Sequence, residues 1–164
     1  MKNIVLIGMP GSGKSTVGVV LAKMLGLHFL DSDLVIQETE GKLLSEIIEE
    51  KGPDGFLTVE DRINAGLQCE KTVIATGGSA VFGANAMAHL KEIGTVVYLK
   101  LSYEELTTRL GNLKGRGVVL RDGQTLKDLY EERIPLYEKY ADVAIEELGE
   151  GIEETARKII DKIR

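Results

Sequence analysis

The sequence predicts an α/β protein, a doubly wound parallel sheet of about five strands flanked by helices. Three features predict it. An apolar strand runs into a glycine-rich loop that opens a helix, β-rich runs alternate with helical patterns, and polar or glycine clusters stand where those runs end. The 164 residues are read as a single domain, 1–164, long enough to bury a continuous core without disulfides or a structural metal.

The first strand, from Asn3 to Ile7, leads into Gly8-Met9-Pro10-Gly11-Ser12-Gly13-Lys14-Ser15-Thr16, a match to G-x-x-x-x-G-K-[ST]. Such a loop turns its backbone N–H groups inward around phosphate oxygens, and the following helix adds its positive N-terminal end. Lys14 would reach the β- and γ-phosphates, and the Ser15 hydroxyl would ligate Mg²⁺. Val17, Val20, Leu21, Met24 and Leu25 recur at helical spacing up to Gly26, a C-terminal stop.

His28 to Asp31 reads as a second strand ending in Asp31-Ser32-Asp33, and a helical pattern resumes from Leu34 to Glu40. Ligands of open parallel sheets bind beyond the carboxyl ends of the strands, so both acids are expected near the phosphate loop. Residues 43–70 read as helical with a break at Gly52-Pro53-Asp54-Gly55. A third strand, Thr72 to Thr76, ends in Gly77-Gly78-Ser79, where paired glycines mark close approach by a ligand or another backbone.

A helix near Asn85–Ile93 and a strand Thr95–Leu99 come next, then a helix from Ser102 with Glu105 completing a capping box. From Gly111 to Gly123 the pattern dissolves, with Lys114, Arg116 and Arg121 spaced by glycines. Beside a phosphate loop this stretch reads as a mobile basic lid. Thr125 and Asp128 start another helix, which Pro135 would kink or bound. Asp142–Ile145 is the last strand and Ile152–Ile163 a closing amphipathic helix.

The net charge of −6 and a pI near 5.1 lack the positive field that non-specific nucleic-acid binding requires. No apolar run approaches the roughly 20 residues of a membrane span, and a strand at Asn3 leaves no room for a signal peptide, so a cytoplasmic monomer is expected. Cys69, the single cysteine, has no Cys or His neighbour in sequence to suggest a metal site, and His28 and His89 receive the same reading.

Taken together, these motifs resemble the shikimate kinases, small P-loop kinases related in fold to nucleoside monophosphate kinases. The resemblance covers nearly the whole chain in motif order: the loop Gly8–Thr16, the D-x-D of Asp31-Ser32-Asp33, Gly77-Gly78, Arg109 and Arg116, and the R-x-P-x-Y of Arg133 to Tyr137. It implies a P-loop kinase fold and transfer of the ATP γ-phosphoryl group to the alcohol of a small carboxylated ring, shikimate in the first instance. By that resemblance Gly11, Ser12, Gly13, Lys14, Ser15 and Thr16 hold nucleotide, Ser15 binds Mg²⁺, and Asp31 holds a water in its shell. Asp33 orients or deprotonates the acceptor hydroxyl, while Lys14 and Arg116 neutralise charge on the transferring group. Arg109 would stack on adenine, and Gly77, Gly78, Ser79 and Arg133 would face the acceptor. Acceptor-binding helices fall at about 32–70 and the lid at about 111–123.

Three positions depart from the family pattern, all on the acceptor side. Where F-R-x-x-E carries a carboxylate-gripping arginine, this chain has Phe56-Leu57-Thr58-Val59-Glu60. Arg62 does not replace it, because five residues at about 100° each place it roughly 140° round the helix from Leu57. Glu60 and Asp61, three and four residues on, are expected to make that face apolar and acidic. Ser79 stands where a third glycine is usual, and Gly117 where proline usually follows the lid arginine. Two alternatives therefore stay open: a kinase for another polyol, sugar acid or nucleoside-like alcohol, and a regulatory nucleotide-binding switch or ATPase.

Overall fold

The computed structural model describes residues 2–110 and 122–164. Five strands form one parallel sheet in the order β2-β3-β1-β4-β5, with β1 Asn3–Ile7, β2 His28–Asp31, β3 Thr72–Ala75, β4 Gly94–Lys100 and β5 Val143–Glu146. The expected doubly wound α/β architecture is present. Parallel pairing is continuous, with Val5 opposite Ile74 on one side and Val96 on the other, and Asp31 opposite Ala75 at the neighbouring strand end.

Successive side chains of a strand point to opposite faces, and each face here has its own core. Val5, Ile7, Ile74, Val96 and Tyr98 enter one cluster with Met87 and Leu90. Ile4, Leu6, Val73, Val97 and Leu99 enter the other with Val17, Leu21, Ile159 and Ile160. Inner strands buried on both faces explain the unbroken apolar runs.

The helices among the described residues are α1 Lys14–Leu25, α2 Ser32–Glu40, α3 Leu44–Ala65, α4 Ala84–Ile93, α5 Tyr103–Arg109, α6 Leu126–Tyr140 and α7 Ile152–Ile163. No helix among them is long and apolar enough to cross a membrane. α3 is two helices joined at a kink, at Gly52 (φ 75°, ψ 171°) before Pro53, as the sequence predicts. α6 continues past Pro135 to Tyr140, so the proline does not bound it. Burial of Arg133 and Tyr137 on either side holds the helix where one backbone hydrogen bond is lost. The stretch 111–121, with Lys114, Arg116, Gly117 and Arg121, lies outside the described residues.

Side-chain caps fix the helices that frame the site. Asp31 accepts from the amide of Asp33 to start α2, and Thr125 and Asp128 cap α6 reciprocally. Asp61, expected on the acidic acceptor face, is instead directed at α4. Its Oδ1 accepts from the amide of Ala86 (2.7 Å) and its Oδ2 from Asn85 Nδ2 (3.0 Å). The contact satisfies an orphan amide at the start of α4 and joins α3 to it. Asp61→Ala is expected to cost about 1–2 kcal/mol, read as a lower urea midpoint at unchanged slope, and Asp61→Asn to recover most of it.

Candidate active site

Parallel register brings the carboxyl ends of β1, β2 and β3 together, and the site is assembled from the turns that leave these three strand ends. After β1 the chain turns through the phosphate loop, closed by the Ser12 amide donating to Met9 O (3.1 Å). Gly11 and Gly13 take φ values of 84° and 86°, a conformation that side-chain-bearing residues rarely adopt. Lys14 lies back along the loop, its Nζ donating to Gly8 O (2.7 Å) and Met9 O (2.9 Å). Burial brings its ammonium down to about 8, against the favourable charge of Asp33.

After β2, Asp31 joins two halves of the site. Its Oδ2 accepts from the Ser15 hydroxyl (2.8 Å) and its Oδ1 from the Asp33 amide (2.9 Å). A hydroxyl and a carboxylate in contact are hard oxygen donors, and magnesium at such sites takes few protein ligands and fills the rest with phosphate and water. Ser15 and Asp31 therefore fit the ion. Thr16, the next position of α1, is exposed and does not line the cavity.

Asp33, in the first turn of α2, faces the loop across a cavity of about 270 Å³. Burial pushes its carboxyl up to about 6, the Asp31 charge adding to this and Lys14 opposing. After β3, a Cβ at Gly77 would lie 2.5 Å from Asp33 Oδ1, and one at Gly78 would lie 2.7 Å from Arg133 Nη1. Only glycine admits both side chains. Arg133, 1% exposed, has its guanidinium 5.5 Å from the centre of the Phe82 ring. Tyr137 donates to Gly78 O (2.6 Å), which secures the glycine turn to α6.

The structure brings Gly11, Gly13, Lys14, Ser15, Asp33, Gly77, Gly78, Ser79 and Arg133 around one cavity. Ser12 is buried behind the loop rather than on the wall. Arg109, the expected adenine contact, donates from Nη1 to Gly11 O (3.1 Å) and from Nε to Glu105 Oε1 (3.2 Å). It thereby braces the phosphate loop from α5. Leu57 does not line the cavity: it is half-buried against the apolar cluster of Ile36, Ile47, Phe56 and Val59. Arg62 points away, paired with Glu40 at 3.3 Å, as its helical phase requires.

Further residues reach the site without having been named as site residues from the sequence. Phe56 and Glu60 both reach the cavity from α3; they are the first and last positions of the F-R-x-x-E pattern, and their i, i+4 spacing puts them on one face of the helix. Glu60 is 2% exposed, and its Oε1 accepts from the Ser79 hydroxyl (2.6 Å). Burial pushes its carboxyl up to about 7, against the lowering effect of Ser79. Glu147, one residue past β5, is 3.9 Å from Arg109 Nη1 and is pushed by burial to about 7. Its proximity comes from packing alone and leaves no local pattern.

The comparisons with known proteins agree with this geometry. The family described as shikimate kinase matches residues 10–164. A shikimate kinase of Persephonella marina is 36% identical over 100% of both chains. One of Thermodesulfovibrio yellowstonii is 39% identical, covering 98% of this chain and 94% of its own. The solved shikimate kinase of Acinetobacter baumannii in complex with shikimate superposes with a TM-score of 0.91 at 37% identity, covering 99% of this chain and 93% of that one. Full-length likeness at this level, on a site with its phosphate loop, D-x-D, paired glycines and buried arginine in one place, makes the chain a member of the shikimate kinase family.

Proposed function

We propose that this protein is an ATP- and magnesium-dependent phosphotransferase that phosphorylates the 3-hydroxyl of shikimate. The observation that carries the reading is the half-buried Asp33 carboxyl facing the phosphate loop across a small cavity, which the buried Arg133 also lines. A nucleotide switch needs no such acid and anion contact on the acceptor side.

The acceptor oxygen attacks the γ-phosphorus as the bond to the ADP oxygen breaks, and the acceptor proton passes to Asp33. Phosphoryl transfer asks mainly for alignment and for cations around a spread negative charge. Asp33 aligns the hydroxyl, and its raised pKa suits a group that holds a proton in transit. Lys14, close to the loop carbonyls, moves its charge onto the phosphates when they fill the cradle. Ser15 and Asp31 would hold magnesium, which supplies charge neutralisation at the phosphates. Arg133 pairs with the acceptor carboxylate. The role of Arg116 rests on the family motif.

A second acceptor class is favoured by one observation: Leu57 occupies the family's carboxylate-gripping position and packs in an apolar cluster. Arg133 is then the acceptor-side cation among the described cavity residues. An arginine-carboxylate fork is strong, so its loss weakens a carboxylated ring relative to a neutral alcohol.

Asp33→Asn is expected to lower kcat by about 10²- to 10⁴-fold while calorimetric ATP affinity stays at its wild-type value; undiminished phosphate release would mean that transfer does not use an acceptor-side acid. Because Asp33 is active ionised and Lys14 charged, kcat/KM rises with pH through about 6 and falls through about 8, and Glu60→Gln leaves the lower limb in place. In a coupled ADP-release assay, Leu57→Arg lowers the shikimate KM about tenfold or more without changing that for ATP.

A further inference from the structure

The nucleotide end of the site holds a buried acid that takes no part in the transfer itself. Glu147 follows β5, and its amide donates to Lys100 O (2.9 Å), which carries the β4–β5 pairing one residue further. Its side chain is 7% exposed, and its Oε2 is buried without a hydrogen-bond partner among the described residues. A buried acceptor in that state is unfavourable and calls for a reason.

The cation it meets is Arg109, whose Nη1 stands 3.9 Å from Oε2. That same nitrogen donates to Gly11 O of the phosphate loop at 3.1 Å. Glu147, Arg109 and the Gly11 peptide thus form a chain of contacts from the end of β5, through the last turn of α5, to the loop. Apolar packing runs beside it, with Leu110 Cδ2 3.0 Å from the point that a Cβ on Gly11 would occupy. The loop at Gly11, where φ is 84°, is therefore held from α5 by a hydrogen bond and a close contact.

Glu105 also holds Arg109, accepting from Nε at 3.2 Å, but its side chain is 45% exposed. An exposed i, i+4 pair is weak and screened, whereas a buried carboxylate acts through a lower dielectric. Glu147 is the stronger anchor of the two. The other charges that face it are Lys14 from α1, Glu105 from α5, and Glu150 beyond β5, itself paired with Lys158 of α7. Burial outweighs the two cations and pushes the Glu147 carboxyl up to about 7.

We infer that Glu147 is a positioning residue for nucleotide binding, fixing Arg109 against Gly11 so that the phosphate loop is held ready for the triphosphate. The inference rests on ATP as the phosphoryl donor. A loop already held in its binding shape loses less freedom when phosphate enters. Ionised Glu147 holds the arginine and neutral Glu147 does not, so the benefit is present above about 7 and fades as the pH falls below it.

Calorimetric affinities for ATP with magnesium and for inorganic tripolyphosphate, which has no base, test this in the wild type, Glu147→Gln, Arg109→Ala and the double variant. Folding is checked by circular dichroism, and the shikimate KM is followed alongside. At about pH 8 the isosteric Glu147→Gln weakens both phosphate ligands by the same factor, about 3- to 10-fold, and leaves the shikimate KM unchanged. That factor shrinks toward one as the pH falls through about 7, because the wild type then loses the same charge. Titration of the ligand is common to both proteins and cancels in the ratio. In the Arg109→Ala background Glu147→Gln has no further effect. Tighter binding by Glu147→Gln would mean that the carboxylate only repels the triphosphate, and would overturn the inference. A loss confined to ATP, a factor indifferent to pH, or additive effects with Arg109→Ala would overturn it too. A wild type that binds neither ligand would overturn the donor on which it rests as well.

Discussion

Parallel pairing of β1, β2 and β3 is the constraint on which the rest of the site depends. It sets the phosphate loop, the D-x-D turn and the Gly77-Gly78 turn side by side at one edge of the sheet. Asp31 then ties the first two together, accepting from the Ser15 hydroxyl on one side and the Asp33 amide on the other. A single carboxylate thus ties the start of α1 to the start of α2. The two apolar clusters on opposite faces of the sheet hold this end in place, because β1 and β3, which feed it, are buried on both sides.

Burial sets the electrostatics. Lys14, Asp33, Glu60 and Arg133 share a cavity of about 270 Å³, so each ionisable group feels both desolvation and its neighbours. Desolvation dominates for the acids, raising Asp33 and Glu60, and for Lys14, which it lowers. Groups held near neutrality in pKa are suited to exchange protons or to accept new partners when phosphate and acceptor enter. The neighbouring charges act both ways: Asp31 adds to the rise at Asp33, Asp33 to that at Glu60 and Arg133 to the fall at Lys14, whereas Lys14 opposes the first, Arg133 the second and Asp33 the third.

Two of the departures from the family pattern, Leu57 and Ser79, bear on α3. Leu57 withdraws a cation from α3, and Ser79 adds a hydroxyl that holds the buried Glu60. The bond between Ser79 and Glu60 spans two elements far apart in sequence, α3 and the turn after β3. One change removes a charge and the other supplies a neutral hydrogen bond, which keeps the carboxyl of Glu60 in a defined rotamer. The phosphate loop shows no comparable change.

The sequence by itself determined the parts that local chemistry dictates. Apolar strand runs, the glycine loop, the capping residues at Ser102 and Thr125, and the break at Gly52 are each written within a few consecutive residues. Tertiary structure decided the direction and partnership of side chains. Glu60 and Asp61 are adjacent, yet one is buried against Ser79 and the other is spent on the start of α4. Arg109 braces Gly11 O beside Glu147, and Leu57 leaves the cavity for the aliphatic cluster. Helical phase places consecutive residues about 100° apart, but only the packing of neighbouring elements decides which phase meets ligand, which meets core and which meets another helix.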